Sequence, residues 1–384
     1  MIWQVPLCRP TFDSEQLEEV VEAYRSGWLT VGPRTAQVEA AFCEYTGTRH
    51  AIALSSCSAA MHLACIASGL GPGDEVIAPS LTFASTVSGV PHVGARPRFV
   101  DVAGPTEPWL SAAAVEAAIG DRTTAIVTMT YGGHPGEIEA IAELARSHDL
   151  KLIEDVAHGA GSRSGGRRLG TFGDAGAFSF SSSKNLGIGE GGMLITDDPE
   201  IADRVARLSW HGVGSQAWLR HHQPAPEYEL DSLGFNYRFD DPRAALLLSC
   251  LHRLEEQNSR RREIDRAYRD ALADEPLFEP TLAPAESDRS SYCLFTGVLD
   301  QSVDRDAFRK DLADRSVQTT VHYPLLHKQG ALAQPDVRLP MSEDYAERCV
   351  TLPLFPQMED WQIELVVDAV RESLTRRRPA AAAA

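Results

Sequence analysis

The residue whose surroundings point most directly to chemistry is Lys184. It follows the apolar run 175–180 and lies between the serines of 181–183 and the glycine-rich run 187–192. Serine hydroxyls and open backbone N–H groups suit a phosphate, although a lysine in such a loop can also be merely solvated. The glycines match G-x-G-x-x-G, but a dinucleotide-binding fingerprint must open a helix, whereas the strand-like run 193–196 follows here. The sequence therefore predicts a phosphate contact beside a lysine and argues against a nicotinamide cofactor.

A carboxylate pair supplies the second signal. Glu154 and Asp155 end the apolar run 151–155, and His158 follows closely. A carboxylate at the end of a buried strand is costly unless it meets a cation, so we expect Asp155 to have a positive partner. The alternative is that this motif caps a helix that begins after the strand.

The third signal is a run of small residues, 55–60, that leads from a strand into a predicted helix and includes Cys57 and Ser58. Helix N-termini attract anions through unpaired N–H groups and the helix dipole, although Ser58 can also serve as an ordinary N-cap. One cofactor needs a lysine, a carboxylate and a phosphate-binding turn together. This cofactor is pyridoxal 5′-phosphate (PLP), through its aldehyde, its ring nitrogen and its phosphate.

Alternating strands and helices must position these residues. Short β-branched runs alternate with amphipathic segments such as 58–68 and 137–147, which predicts an α/β fold with a largely parallel sheet wrapped by helices. Ligands of such sheets collect beyond the carboxyl ends of the strands. The predicted strands are 51–54, 75–78, 97–102, 125–129, 151–155, 175–180 and 192–196.

The flanking regions predict further elements. Helices are expected at 13–24 and 35–45, and a long irregular segment at 209–239. A helix over 241–269 and strands at 292–300 and 317–322 indicate a smaller C-terminal α+β unit. We therefore divide the chain into a large domain, 1–240, and a smaller domain, 241–384, that ends in a disordered tail.

Composition excludes several classes of function. The 384 residues include 36 basic and 54 acidic residues, a net charge of −18, which argues against a nucleic-acid-binding surface. No apolar run reaches the roughly 20 residues that span a bilayer, and no signal peptide is recognisable, so we expect a cytoplasmic protein without a membrane partner. The seven scattered cysteines contain no C-x-x-C pair and the histidines no H-E-x-x-H, so no metal is expected.

With these motifs in place, the sequence resembles the PLP-dependent nucleotide-sugar aminotransferases, the DegT/StrS group of the aspartate aminotransferase-like fold. The resemblance covers nearly the whole chain and implies PLP-dependent transferase fold type I. The stretches that carry it are 26–30 with Gly32 and Pro33, 71–77, 79–83, 99–102, 153–158, 178–184, 190–192, 234–238, 322–324 and 352–356.

The resemblance implies a role for each matching residue. Lys184 bonds the aldehyde of PLP, and Asp155 pairs with its ring nitrogen. His158 lies near the ring hydroxyl, and Phe83 stacks on the ring. The phosphate is held by Ser179 and the turn at Cys57 and Ser58, where the family more often has Gly and Thr. Asn236 reaches the phosphate of the other subunit, so the resemblance implies a homodimer with shared active sites.

The same resemblance implies the reaction. It predicts amino transfer from L-glutamate to a nucleotide-linked keto-deoxy sugar, and residues 190–192, Glu-Gly-Gly, resemble members that act at C4 of a dTDP-4-keto-6-deoxyhexose. A C3 keto sugar or a keto-cyclitol is the alternative. A dehydratase is less favoured because Lys184 is retained, and a non-catalytic regulator because the lysine, aspartate and serine set is intact.

Substrate residues are expected in two segments, Trp28 and Thr30 in the loop 27–33, and His322 and Tyr323. An anionic nucleotide needs local donors on so acidic a protein. Alternatively, His322 and Tyr323 simply end a strand that Pro324 terminates.

Overall fold

The computed structural model describes residues 3–213, 230, 232–282 and 290–377. A seven-stranded sheet lies at its centre, in the order β1-β11-β10-β7-β6-β2-β3. Only β11 runs antiparallel to its neighbours. The strands of this sheet are β1 His50–Leu54, β2 Glu75–Pro79, β3 Arg96–Val100, β6 Thr123–Met129, β7 Lys151–Asp155, β10 Ala175–Ser179 and β11 Gly192–Thr196.

Helices cover both faces of this sheet, because the strands carry apolar side chains on both faces. Ile77 and Ile126 face one hydrophobic core, and Val76 and Val127 face the other. The helices of this part are α1 Ser14–Arg25, α2 Pro33–Thr46, α3 Cys57–Ala67, α4 Ala84–His92, α5 Ala112–Ala118, α6 Ile138–Ser147, α7 Pro199–Ser209 and α8 Asp241–His252. The predicted mostly parallel sheet with its helices is confirmed.

A smaller α+β unit follows. It has a three-stranded antiparallel sheet, and a third core joins its helices to Val5 near the start of the chain. Its elements are α9 Leu254–Leu272, β12 Phe278–Pro280, β13 Phe295–Leu299, α10 Arg305–Asp314, α11 Pro340–Arg348, β14 Cys349–Leu352 and α12 Asp360–Thr375. Two short hairpins, β4 Val102–Gly104 with β5 Glu107–Leu110 and β8 Arg163–Ser164 with β9 Arg167–Arg168, complete the fold.

Helix α8 packs its leucines into the core that contains Ile77 and Ile126, whereas α9 packs largely into the third core. The division at residue 240 stays a prediction. The helix expected over 241–269 is confirmed except at Arg253, where the chain leaves helical geometry (φ −100°, ψ 0°) and two helices form instead of one. Arg253 forms ion pairs with Asp13 and Glu15 at the start of α1, and the break contains no Gly or Pro.

The expected strand at 317–322 is also wrong. Val317 bridges Val5, and Thr320 bridges Thr351, so the segment pairs with two different partners at one residue each. The strand expected at 292–300 is shorter, because Tyr292 adopts a positive φ of 50°. Much of the irregular segment 209–239 and the tail at 378–384 lie outside the described residues.

Two negative observations concern the described ranges only. None of their helices is both long and apolar enough to cross a membrane. They also contain no group of three or more potential metal-ligating side chains.

Candidate active site

A cavity of about 340 Å³ opens at the carboxyl ends of the parallel strands, the edge where the sequence predicts ligands. Asp155 ends β7 and Ser179 ends β10, so strand geometry alone brings two distant positions to one wall. The structure brings together eight predicted site residues as cavity lining, namely Cys57, Ser58, Phe83, Asp155, Ser179, Lys184, His322 and Tyr323.

Asp155 is held by neutral hydrogen-bond donors. Its Oδ2 accepts from the Thr86 hydroxyl at 2.6 Å, and its Oδ1 from the Ala157 N–H at 2.9 Å, with Cys57 Sγ at 3.8 Å. Burial raises the pKa of Asp155, and these donors together with the charge of Lys184 oppose the rise. The carboxylate is thereby fixed at the floor of the cavity.

Of the two interpretations of Asp155, the positive partner stays a prediction. Within the described residues Asp155 forms no ion pair, and the charge of Lys184 lowers its pKa without a hydrogen bond between them. The alternative of a helix cap fails, because a turn follows β7 and Gly159 N–H bonds the Val156 carbonyl. Three neutral donors therefore meet part of the desolvation cost of Asp155.

Lys184 lies in the loop that joins β10 to β11. Its backbone N–H bonds the Ser181 carbonyl at 2.9 Å, and its own carbonyl accepts from Gly187 at 3.0 Å. The next residue, Asn185, is buried and donates to Asn258 Oδ1 at 2.6 Å and the Ser291 carbonyl at 2.7 Å. The loop backbone is therefore anchored while, among the described residues, the Lys184 amine forms no hydrogen bond.

The N-terminus of α3 forms the end of the cavity where the sequence predicts a phosphate contact. Ser56, not Ser58, is the N-cap, since its hydroxyl accepts from the Ala59 N–H at 3.1 Å. Ser58 lies exposed in the first turn, and Ser179 lies across from it on the cavity wall. Gly192, the last glycine of the run 187–192, has a packing reason. A Cβ at this position would lie 2.4–2.5 Å from the backbone of Ser56 and Cys57. This glycine lets β11 approach the helix start and is a packing requirement.

His158 and Tyr323 form a hydrogen-bonded pair whose polarity can be assigned. His158 Nδ1 accepts from the Gly132 N–H at 3.2 Å, so the ring proton of neutral His158 is on Nε2. Nε2 is 3.0 Å from the Tyr323 oxygen and donates to it. Burial, Lys184 and His322 hold the pKa of His158 well below its ordinary value, so the ring is neutral. The Tyr323 hydroxyl proton is consequently available to the cavity.

His322 lies beside Tyr323 on the cavity wall. Its Nδ1 lies 2.8 Å from the Thr351 hydroxyl. Burial, and then the charge of Lys184, lower the pKa of His322 to about 3, so it is a neutral hydrogen-bonding group at physiological pH.

Other predicted residues lie elsewhere in this chain. Asn236 is exposed and accepts from Arg238 Nε at 2.8 Å. Trp28 donates to the Val31 carbonyl at 2.9 Å, and Thr30 accepts from the Asp241 N–H at 3.2 Å. His158 lies behind Tyr323 and is not part of the cavity wall itself. The roles implied for these four residues stay predictions.

Sequence reasoning missed Thr86 and Ser56. Thr86 lies in α4, a helix the pattern did not predict. In the sequence, Thr86 is only one hydroxyl residue three positions after Phe83, and no periodic pattern distinguishes it.

The donor set fits PLP. An amine, a buried carboxylate and a helix N-terminus with serine hydroxyls line one cavity, and these are the kinds of group that an aldehyde, a ring nitrogen and a phosphate require. The ring of Phe83 remains 56% exposed at the cavity mouth, although aromatic side chains of this size are usually covered. A flat aromatic ligand would cover it.

A protein-family model and several solved structures match nearly the whole chain. The model of the DegT/DnrJ/EryC1/StrS aminotransferase family matches residues 10–371. The chain is 36% identical to the aminotransferase TlmJ from Streptoalloteichus hindustanus (TM-score 0.91, covering 97% of this chain and 99% of that one). DesI, solved in the presence of its TDP-sugar product, is 30% identical (TM-score 0.86; 98% and 94% covered). The protein Spr1654 from Streptococcus pneumoniae, in its PLP form, is 25% identical (TM-score 0.89; 98% and 100% covered).

Proposed function

Because the chain belongs to the DegT/DnrJ/EryC1/StrS aminotransferase family and is a PLP-dependent sugar aminotransferase, we propose that it transfers the amino group of L-glutamate to C4 of a dTDP-4-keto-6-deoxyhexose. The observation that carries the proposal is the single cavity that contains Lys184, Asp155 and the N-terminus of α3. The TDP-sugar product named for DesI supports the nucleotide. Residues 190–192, Glu-Gly-Gly, support the C4 position by resemblance.

Each group has a task in this reaction. Bound PLP supplies an aldehyde carbon that exchanges amino groups and a ring that accepts electrons from the bond being broken. Lys184 carries the only side-chain amine among the described lining residues, so this amine is the group that takes up and returns the proton at the reacting carbon. Asp155 accepts the hydrogen bond of the protonated ring nitrogen and stabilises its charge.

The uncharged side chains of Tyr323 and His322 on the cavity wall bind the sugar in this proposal. Tyr323 offers its hydroxyl proton because His158 already donates to its oxygen. His322 is uncharged and half-buried beside it, so the two can bind polar groups of the sugar without a charge that would disturb Lys184.

A substrate panel tests the proposal. The purified PLP-loaded enzyme is incubated with L-glutamate and each of the dTDP- and UDP-linked 4-keto and 3-keto sugars, and 2-oxoglutarate and the amino sugar are quantified by mass spectrometry. Lys184→Ala is the matched control. We expect turnover of a dTDP-4-keto-6-deoxy sugar only in the unmodified enzyme. Turnover restricted to 3-keto sugars, or a different amino donor, would overturn the assignment.

Covalent labelling tests the lysine independently of substrate. Borohydride reduction of the PLP-loaded enzyme followed by peptide mass mapping should mark Lys184. A label on any other lysine contradicts the assignment.

We further propose a homodimer in which Asn236 of one subunit serves the active site of the other. Its exposure, away from the cavity of its own chain, supports this arrangement. Mixed Lys184→Ala and Asn236→Ala protomers should regain activity, because one site of each hybrid dimer keeps both residues. Failure to regain it, with subunit exchange demonstrated, argues against shared sites.

The substrate role of His322 has its own test. His322→Ala should raise KM for the sugar nucleotide and leave the half-reaction with glutamate nearly unchanged. His322→Asn, which keeps a polar group near Thr351, is the control for lost packing. Equal damage to both half-reactions would assign His322 to the cofactor or the fold. Trp28 and Thr30 are proposed to contribute to the same sugar-nucleotide site.

A further inference from the structure

The hydroxyl of Thr86 is fully buried and makes a short contact with the carboxylate at the floor of the cavity. Thr86 is 1% exposed, and its Oγ1 is 2.6 Å from Asp155 Oδ2. An ionised carboxylate can only accept, so the hydroxyl proton points to Asp155.

A second hydroxyl lies beside the first. Thr82 Oγ1 lies 2.7 Å from Thr86 Oγ1. Because Thr86 spends its single proton on Asp155, Thr82 can only donate in this pair. The one proton of Thr82 is shared between Thr86 Oγ1 and Met129 Sδ, which lies at 2.9 Å. The Thr82 hydroxyl therefore supports a Thr86 proton that points to Asp155, and rotation of the Thr86 hydroxyl would break its bond to the carboxylate.

The other donors to Asp155 are weaker or cannot be replaced. The Ala157 N–H is backbone, and the Cys57 thiol, at 3.8 Å, is a weak donor. Thr86 is thus the one strong side-chain donor that the described residues supply to this carboxylate. Hydrogen bonds to charged groups are roughly twice as strong as those between neutral groups.

We propose that Thr86 is a positioning residue that keeps Asp155 ionised and oriented toward the ring nitrogen of PLP. The inference rests on the proposed role of Asp155 and adds a residue to it. Burial works against the ionised form of Asp155, and its pKa is raised by that burial. Loss of the Thr86 donor would shift the balance toward a protonated carboxyl, which binds a protonated ring nitrogen poorly.

The test measures cofactor binding by the apoenzyme, without any turnover. PLP is titrated into apoprotein between pH 6 and 9, and the dissociation constant and the absorbance of the bound cofactor are recorded. We expect Thr86→Val, which keeps the shape of the side chain, to weaken PLP binding by about 10- to 100-fold, the usual loss for one hydrogen bond to a charged group. The pH dependence of the absorbance should shift with it.

Matched variants separate this role from a structural one. Thr86→Ser retains the hydroxyl and should restore binding to within about threefold of the natural enzyme. Thr196→Val removes a buried hydroxyl that bonds the Asp174 carbonyl at the far end of β11, and it should leave binding unchanged. If Thr86→Val does not fold, Thr82→Val tests the same chain of hydroxyls, with a smaller loss expected.

Parallel titration of Asp155→Asn distinguishes the two possible failures. If Asp155→Asn weakens binding and Thr86→Val does not, the inference about Thr86 is overturned and the role of Asp155 stands. If neither variant changes the affinity or the absorbance, the role of Asp155 is wrong and the inference falls with it. Failure of Thr86→Ser to restore binding also overturns the positioning role.

Discussion

Glu154 and Asp155 are consecutive residues of β7, and they are equally buried, at 1% and 2% exposure. Their side chains point to opposite faces of the sheet, as strand geometry requires. Glu154 accepts three backbone hydrogen bonds, from Gly170, Phe172 and Gly173, at 2.7–2.8 Å. Asp155 is held by side chains from α3 and α4 as well as by one backbone N–H.

The difference shows what distinguishes a structural carboxylate from one placed for chemistry. The donors of Glu154 close the turn at 170–173, so its charge stabilises the fold and no ligand is needed. Asp155 borders a cavity and keeps acceptor capacity on that side. Burial of a carboxylate therefore says little by itself, whereas the position of its unused lone pairs is informative.

Substitution of Asp155 should give the largest effect on activity. Asp155→Asn should lower kcat by on the order of 10³-fold, because the charge that stabilises the protonated ring nitrogen is lost. The melting temperature of the apoenzyme should be unchanged or higher, since a buried charge is removed. Single-turnover kinetics with glutamate and apoenzyme melting curves measure both. If Asp155→Asn keeps more than about a tenth of the activity, the proposed contrast between Asp155 and Glu154 is wrong.

Substitution of Glu154 should give the opposite pattern. Glu154→Gln replaces one acceptor oxygen by an amide group that faces the Gly170 N–H, so the free energy of unfolding should fall by about 2–4 kcal/mol. At temperatures where the variant is folded, kcat should be near that of the natural enzyme. Urea unfolding and steady-state assays give the two quantities. A loss of kcat without a loss of stability would assign Glu154 to the active site.

Glu39 extends the comparison to a carboxylate with fewer donors. Among described residues, only the Ala53 N–H bonds it, at 2.9 Å, and burial raises its pKa to about 7. A folded pKa above the unfolded value gives stability that is complete below about pH 4 and is lost as the pH rises through 7. Between pH 5 and 8, the natural enzyme should lose about 2–3 kcal/mol more than Glu39→Gln. If urea titrations show the same loss of stability for both proteins, the small number of donors to Glu39 does not cause the pH dependence.

The smallest effect is expected at Cys57. Its thiol lies 3.8 Å from Asp155 and is a poor donor, so Cys57→Ala should change PLP affinity by less than about threefold. Cys57→Ser should also stay within about threefold, because its single hydroxyl proton has the Ala177 carbonyl as a second acceptor, 3.7 Å from the thiol that it replaces. Apoenzyme titration measures both variants. A tenfold loss in Cys57→Ala would mean that the thiol matters as much as the Thr86 hydroxyl.

Much of this arrangement could be predicted from the sequence, for identifiable reasons. Strands of buried parallel sheets are short apolar runs, so β7 and β10 were predictable, and with them the meeting of Asp155 and Ser179 at one edge. Helix α4 was not, because Gly89, Pro91 and β-branched residues weaken its helical pattern. Thr86 went unnoticed for that reason.

Other features depend on contacts that no local pattern records. The break at Arg253 coincides with ion pairs to Asp13 and Glu15, about 240 positions earlier in the chain. The proton on His158 Nε2 follows from one backbone N–H of Gly132. Local propensity predicts elements, whereas the polarity of a hydrogen bond becomes known only when its partner is known.

The antiparallel strand β11 has a consequence for the lysine. Ser179 pairs with Gly192, so the loop that carries Lys184, residues 180–191, has both ends fixed on adjacent strands. Most of the entropy of closing this loop is therefore lost when the sheet forms, before any ligand enters. The amine behaves as a tethered reactant with a high effective molarity at the cavity. An amino donor from solution therefore displaces it only through its own binding energy or a high concentration.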